Sequence, residues 1–401
     1  MAGAAPTGYP DMEIVFVDPE PPDRAGGGIR SYLRLALDAC RLQGIAAKVY
    51  THNPEAYPGE NASPIGRKAW LRWPWRGLAY RLGYSQNVLW EQAYWLGAEL
   101  EACDAPAKVY EFADFLGYGY FALKNPTLRQ RIVLRVHTPD FLVNGPARKA
   151  RGLRGWLTFG LGHWRESQCL NLAANITVPS AEFVKEKLPG LRNWVHIPNP
   201  LPPDSPPPTS IALGLDHNPG PARFLYLGRV EPRKGVLPMV RAFLRLAESR
   251  PEITLTLVGG AVSGTYAETV RALIDSQPPH IRARLVWEPP CPASQRPALF
   301  ARFNTLVVPS LWENSPYVFF EGMAAGLLCV GSATGEMKAV AAITKSPMAI
   351  PGDEDDWLRV LEEVSSGAGR EALPAQSAYL RKRRPEIPGQ LLDYFRNLAG
   401  R

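Results

Sequence analysis

One feature constrains this chain more than any other: short apolar runs alternate with longer amphipathic stretches, and the whole pattern occurs twice. Residues 12–18, MEIVFVD, form an apolar run that ends in an acid. A turn rich in proline and glycine follows, then the amphipathic stretch 29–42. This reads strand, loop, helix. Further buried-strand candidates lie at 47–51, 107–111, 131–136 and 175–179, with helical patterns between them. Such alternation predicts a parallel sheet covered by helices. From 198 to 221 the periodicity is lost in PNPLPPDSPPPTSIALGLDHNPGP, a composition suited to an extended connector. At Ala222 the pattern restarts with strands FLYLG, ITLTLVGG, RLVWE, TLVVPS and LLCVGS, each followed by a helical stretch except the last. The prediction is an α/β chain of two doubly wound, Rossmann-like domains facing a central cleft. Their boundaries are 1–200, a proline-rich linker 201–221, and 222–384. A closing helix over 385–401 is read as able to pack back on the first domain. Sheets of this kind bind ligands beyond the C-terminal ends of their strands.

The 401 residues are more than one ordinary core holds, which supports two domains. No apolar stretch approaches the ~18 residues of a membrane span. MAGAAPTGYPDME has no basic segment leading into an apolar one, so a cytoplasmic location is expected. Five scattered cysteines, in no CxxC or Cys/His spacing, read as reduced thiols and not as a metal site or disulfide framework. The net charge of +7 suits an anionic ligand, a membrane surface or nucleic acid. The basic residues are dispersed and no zinc-finger or RNP-like motif occurs, so no nucleic-acid partner is expected.

Three loops stand at predicted strand ends. The first, Ala25-Gly26-Gly27-Gly28-Ile29, lets backbone approach a ligand and opens a helix whose N-terminus favours an anion. A tight turn with no ligand has the same composition. The second, GRVEPRKG from Gly228 to Gly235, carries Arg229 and Lys234 on either side of a turn. The planar fork of one and the point charge of the other suit a diphosphate. A solvated basic turn is the alternative. The third runs from Pro309 to Gly326 and spaces Glu313 and Glu321 so that both can face one site, where carboxylates accept from adjacent sugar hydroxyls. Asn314, Ser315, Pro316 and Tyr317 lie near the start of its helix, where free N–H groups point outward. Taken singly, Glu313 also reads as a helix cap and Glu321 as a solvated residue.

The second and third loops, in this order and about 80 residues apart, resemble those of retaining glycosyltransferases of family 4, which have the GT-B fold. GRVEPRKG is similar to their phosphate-binding loop, and E-x7-E followed by GMAAG to their donor signature. The resemblance extends to the Gly-Gly loop, RVHTP with His137, TVPSAEF and IPNP. It implies a nucleoside-diphosphate sugar as donor substrate, Arg229 and Lys234 on its diphosphate, and Gly27 and Gly28 approaching from the other domain. It further implies Glu321 on the ribose, and Glu313 with the amides around Asn314–Tyr317 on the transferred sugar. His137, otherwise a core histidine ending a strand, is implied to lie close to the reacting sugar. Asn314-Ser315-Pro316 stands where many relatives carry a glycine-rich turn, so the identity of the donor sugar does not carry over.

Cleavage of a sugar–phosphate bond leaves negative charge on the diphosphate, which fixed cations stabilise without reorganising. Arg229 and Lys234 supply that charge, so no metal or other cofactor is expected. The acidic run 352–356, GDEDD, reads as a capped helix start. Retention and same-face attack follow from the resemblance, since no confident nucleophile is visible. Glu111 and Asp114 in VYEFADF are candidates for the acceptor side, or loop carboxylates that hold structure. A nucleotide-sugar 2-epimerase and an inactive binding subunit of the same fold are the competing functions. Two segments combine basic and aromatic residues without acids. One carries Arg67, Lys68, Arg72, Arg76 and Arg81, and the other Arg148, Lys149, Arg151, Arg154 and Arg165. They suit peripheral contact with an anionic membrane, or equally a soluble acceptor.

Overall fold

The computed structural model describes residues 12–19, 28–65, 85–145, 152–202, 220–261 and 264–400. The chain divides into two units. The first comprises Met1–Pro179, Lys187–Pro200 and Ile387–Arg401; the second comprises Ser180–Glu186 and Leu201–Glu386.

The first unit holds β1 (Glu13–Asp18), β2 (Ala46–Thr51), β3 (Ala62–Pro64), β4 (Lys108–Ala113), β5 (Ile132–Arg135), β6 (Asn175–Val178) and β7 (Trp194–His196). They form one parallel sheet in the order β3-β2-β1-β4-β5-β6-β7. Ile14, Val15, Phe16 and Val17 are all buried, because helices cover both faces and leave no solvated side to alternate with. The chain moves outward from β1 in one direction and then returns through β4 in the other. The switch point of this sheet therefore lies between the C-terminal ends of β1 and β4.

The second unit holds β8 (Arg223–Leu227), β9 (Thr254–Val258), β10 (Leu285–Glu288), β11 (Thr305–Val308), β12 (Leu328–Ser332) and β13 (Met348–Ala349). Their order is β10-β9-β8-β11-β12-β13, again parallel, with the switch point between β8 and β11. One apolar cluster joins Phe224, Tyr226, Phe243, Val307 and Val330 to the fully buried Trp357. Trp357 lies on the helix Glu354–Ser365, which Asp353 caps by accepting from the Asp356 amide at 3.0 Å. That explains the acidic run at 352–356 as a helix start.

The strand sequence follows the apolar runs closely, while the closing helix departs from the reading. It begins at Ala372, not at 385, and continues to Ala399 through Pro374, Pro385 and Pro388. Prolines argue for a break. Burial of Leu380, Ile387, Leu391, Phe395 and Leu398 on one stripe outweighs them. Its residues from Ile387 belong to the first unit, where Phe395 meets Phe16 edge-on at 6.2 Å. Residues 180–186, read as part of the first domain, group with the second unit instead. Cys40, Cys169 and Cys329 are buried, and all five cysteines are unpaired.

Candidate functional site

In the second unit both signature loops leave the sheet at its switch point. GRVEPRKG follows β8, and the loop with both glutamates follows β11. Backbone contacts fix them to each other. The Leu311 amide donates to the Arg233 carbonyl at 2.8 Å. Gly235 has φ +61, and a Cβ there would lie 1.9 Å from the Pro309 carbonyl oxygen. Only glycine combines that backbone with that approach. Gly335, at φ +53, does the same against the carbonyl oxygens of Glu313 and Asn314. The Glu336 amide donates to the Asn314 oxygen at 2.7 Å. Gly322 is needed for space: a Cβ there would strike Leu306 and Cys329 under the helix Tyr317–Ala324.

The side chains held by this frame converge on Glu313. It is buried, and its Oε1 accepts from Lys234 Nζ and, at 2.8 Å, from the Ser310 hydroxyl. Arg233 Nη1 stands 3.2 Å from the same oxygen. Burial alone would raise the carboxyl, but Lys234 and Arg233 outweigh it and hold it down at about 2. Glu313 is therefore neither a helix cap nor a solvated acid but the anionic centre of a cation cluster. Arg233 also spans to Glu231 at 3.2 Å and lies over the Trp312 ring at 4.9 Å. Phe183 approaches that ring at 6.2 Å. Arg229 is more open, with its side chain 55% exposed and Nη2 at 3.2 Å from Glu231.

Glu321 sits on the helix Tyr317–Ala324 and is not solvated alone. Arg296 Nη1 donates to both its carboxylate oxygens at 2.7 Å. Asn314 and Pro316 are buried, and Ser315 and Tyr317 half-buried, around the start of that helix. Arg233, Ser310 and Arg296 were not singled out by the sequence. Arg233 lay inside a quoted motif, whereas Arg296 carried no local signal because its partner is 25 residues away. A groove of about 650 Å³ opens beside the ends of β9 and β10, where Arg271 covers the Trp287 ring at 4.3 Å. None of the described residues lining it belongs to either signature loop.

In the first unit Gly28 opens the helix Gly28–Leu42, and among the described residues a Cβ there would meet nothing within 4 Å. Gly27 lies outside the described residues. Glu111 and Asp114 belong to the end of β4, and His137 follows β5. The structure brings these three together. The His137 amide donates to Asp114 Oδ1 at 3.0 Å, the Tyr32 hydroxyl donates to Glu111 Oε2 at 2.9 Å, and the Tyr32 and His137 rings meet at 5.0 Å. Below them the buried Arg135 guanidinium lies 4.7 Å from the Tyr32 ring and donates to Asn199 Oδ1 at 2.8 Å. Burial pushes Glu111 to about 7 against the pull of Arg135, and Asp114 to about 7 against its backbone donors. Burial, then Arg135, holds His137 well below its ordinary value, so the imidazole is neutral. Glu166 accepts from the amides of Leu116, Asp140 and Phe141 at 2.7, 2.9 and 3.0 Å, which ties the loops after β4 and β5 to the helix Gly152–Leu172.

Residues 214–372 match the family described as Glycosyl transferases group 1. A D-inositol 3-phosphate glycosyltransferase of Stackebrandtia nassauensis is 31% identical over 159 residues, 38% of this chain and 36% of that protein. A glycogen synthase of Mycobacterium tuberculosis is 37% identical over 119 residues, 29% of this chain and 27% of its own. The chain thus spans about a third of the length of the curated relatives it matches. Among solved structures, sucrose-phosphate synthase from Thermosynechococcus elongatus is similar with a TM-score of 0.70 at 17% identity, covering 96% of this chain and 99% of the other. Anabaena HepE in complex with UDP-glucose is similar with a TM-score of 0.67 at 15% identity, covering 96% and 100%. The fold is that of GT-B proteins, two parallel-sheet α/β domains.

Proposed function

We propose that this chain is a glycosyltransferase that moves a sugar from a nucleoside-diphosphate sugar to an acceptor, with retention at the anomeric carbon and without a metal ion. The observation that carries this reading is the cluster of Lys234, Arg233 and Ser310 on Glu313 at the switch point of a glycosyl transferases group 1 domain.

An ammonium has three donors, so Lys234 can hold Glu313 and still donate to a phosphate oxygen. Arg229, open to solvent, supplies the second cation. As the sugar–phosphate bond breaks, both stabilise the charge gathering on the leaving diphosphate. Glu313 and the amides of Asn314, Ser315 and Tyr317 hold the sugar, and Glu321 accepts from the ribose. Gly27 and Gly28 let backbone approach the diphosphate. A neutral His137 bonds a sugar hydroxyl without repelling the positive charge that develops on the ring. The acceptor hydroxyl attacks from the face the diphosphate leaves, and a departing phosphate oxygen takes its proton. Glu111 and Asp114, uncharged over part of the physiological range, line the acceptor side.

HepE has been seen with UDP-glucose, which makes UDP-sugars the first donors to try. The purified chain is incubated with UDP-sugars and GDP-sugars and a panel of sugar, cyclitol-phosphate and lipid acceptors. Transfer to an acceptor supports the reading. Isomerisation of the donor sugar would identify a 2-epimerase, and stabilisation by donor without turnover an inactive binding subunit.

The acceptor side is further proposed to rest on an anionic membrane at the cytoplasmic face. No helix among the described residues is long and apolar enough to cross a membrane. In the first unit Trp90 and Trp164 stack at 6.3 Å, and Trp164, Tyr94 and Trp95 are 44%, 50% and 47% exposed. Aromatic rings of this kind favour the headgroup boundary. The basic residues Arg67–Arg81 and Arg148–Arg151 and the side chain of Arg154 lie outside what is described, while Arg165 is buried with its guanidinium 5.4 Å from the Trp90 ring and faces no membrane. Cosedimentation with anionic but not neutral vesicles, lost when Arg148, Lys149, Arg151 and Arg154 are neutralised, tests this; no binding to either retires it.

A further inference from the structure

Glu321 offers only acceptors, yet a vicinal diol presents both O–H donors and oxygen acceptors. A carboxylate alone therefore recognises half of that chemistry. Arg296 stands where the other half is needed. Its Nη1 bridges both oxygens of Glu321 at 2.7 Å and uses two of the carboxylate's approximately four lone-pair positions, leaving two for hydroxyl donors. The guanidinium is not spent by this contact. Among the described residues only Nη1 is engaged, and Nε is buried with no hydrogen-bond partner. The side chain as a whole is 30% exposed beside a Glu321 that is 18% exposed, so the pair reaches the surface together. It opens the short helix Arg296–Phe300, directly after the single 3-10 turn Ala293–Gln295.

We propose that Arg296 is a specificity-determining residue of the ribose subsite: Glu321 accepts from the ribose diol while Arg296 donates to one of its oxygens. The inference rests on the donor reading above and deepens it. A donor–acceptor pair set at one spacing selects a ribose over a 2′-deoxyribose, because losing the hydroxyl strands both partners at once. It also holds Glu321 in one rotamer before ligand arrives, so less freedom is lost on binding.

The test uses the full chain and its R296L, R296K and E321Q variants. UDP, 2′-deoxy-UDP and 3′-deoxy-UDP are titrated calorimetrically, and kcat and KM are measured with the best UDP-sugar. Melting curves first establish that the variants fold. We expect the wild type to bind UDP more tightly than at least one deoxy analogue, and R296L to narrow that gap about ten- to a hundredfold, as for a lost charged hydrogen bond. The loss should fall on KM more than on kcat, and R296K should restore part of it. A purely structural pair would weaken UDP and both deoxy analogues by the same factor in R296L, and that result would overturn the proposal. If wild type binds UDP and shows no preference for it over either analogue, the proposal fails while the donor site stands. If neither UDP nor GDP binds and no nucleotide sugar turns over, the donor reading itself fails and takes this inference with it.

Discussion

Replacing Lys234 by methionine should cost both stability and activity, and adding Glu313→Gln should return only the stability. In the folded chain Glu313 titrates at about 2, against an ordinary 4.5. At 1.36 kcal/mol per pKa unit that difference is worth about 3 kcal/mol. The folded value lies below the unfolded one, so this stability is present above the unfolded pKa. It is lost as pH falls from about 4.5 toward 2. Removing Lys234 leaves a buried carboxylate held by Arg233 at 3.2 Å and Ser310 at 2.8 Å. Breaking one side of a buried pair costs about 3–5 kcal/mol. For a unit of this size each kcal/mol moves Tm by roughly 2–4 °C, so K234M should melt roughly 10 °C lower at pH 7. The double variant K234M/E313Q removes the stranded charge and keeps an acceptor for Ser310, and should regain most of the loss.

Activity separates from this. Both variants lack the cation proposed to meet the leaving diphosphate, and on that reading each should lose at least about a hundredfold in kcat. Calorimetric melts at pH 7 and pH 4, with initial rates on a UDP-sugar, measure both quantities. A K234M protein within about 2 °C of wild type, or a double variant no more stable than the single one, would refute the charge argument. Recovery of turnover in the double variant would refute the catalytic one.

Glu321→Gln and Arg229→Ala should each lower kcat/KM by about a hundredfold with little change in Tm, because Arg229 is exposed and Glu321 reaches the surface; initial rates and melts decide. Glu111 and Asp114 are raised to about 7 in the fold, so the stability they contribute below their unfolded values is lost as pH rises through 7. Glu111→Gln and Asp114→Asn should each gain roughly 3–4 kcal/mol relative to wild type above pH 8 and flatten a pH series of melts between 5 and 8.5. Turnover should persist in EDTA; complete loss that magnesium or manganese restores would show that the cations of the chain do not suffice. Gly235→Ala should unfold the second unit or lower its Tm by more than roughly 10 °C, read by circular dichroism, because its Cβ meets the Pro309 oxygen at 1.9 Å.

The strands were legible because a parallel sheet covered on both faces writes itself as uninterrupted apolar runs. Ile14–Val17 and Leu306–Val308 have no solvated side to interrupt them. The short edge strands were not legible for the converse reason. β3 is Ala-Ser-Pro and β7 is Trp-Val-His with two exposed residues; each is a strand only because a neighbour offers it hydrogen bonds. The helix Ala372–Ala399 was cut short in the reading because proline is a local signal, while the stripe that holds the helix together is a tertiary one.

The candidate site divides along the same line. Gly235 and Gly322, which act through backbone geometry, lay inside quoted motifs, and each occupies a place a Cβ would fill; Gly335 does the same but was not singled out. Lys234, Glu313 and Glu321 were visible as charges on strand-end loops. What those charges touch was not. Lys234 and Glu313 are 79 residues apart, and Arg296 and Glu321 are 25 apart on different elements; no periodicity links them. This changes the chemistry inferred, not only its detail. Read alone, Lys234 is a phosphate ligand and Glu313 a sugar ligand, two independent contacts. Joined, they are one ion pair; in the proposed donor site its cation serves the diphosphate and its anion the sugar, so the distance between the two halves of the donor is set by a single contact inside the protein. Shortening either side chain should then misplace one half against the other. Glu313→Asp, which withdraws the carboxylate by one methylene, should lower kcat more than it raises KM. Initial-rate measurements showing a pure KM effect would mean that the two contacts are independent after all.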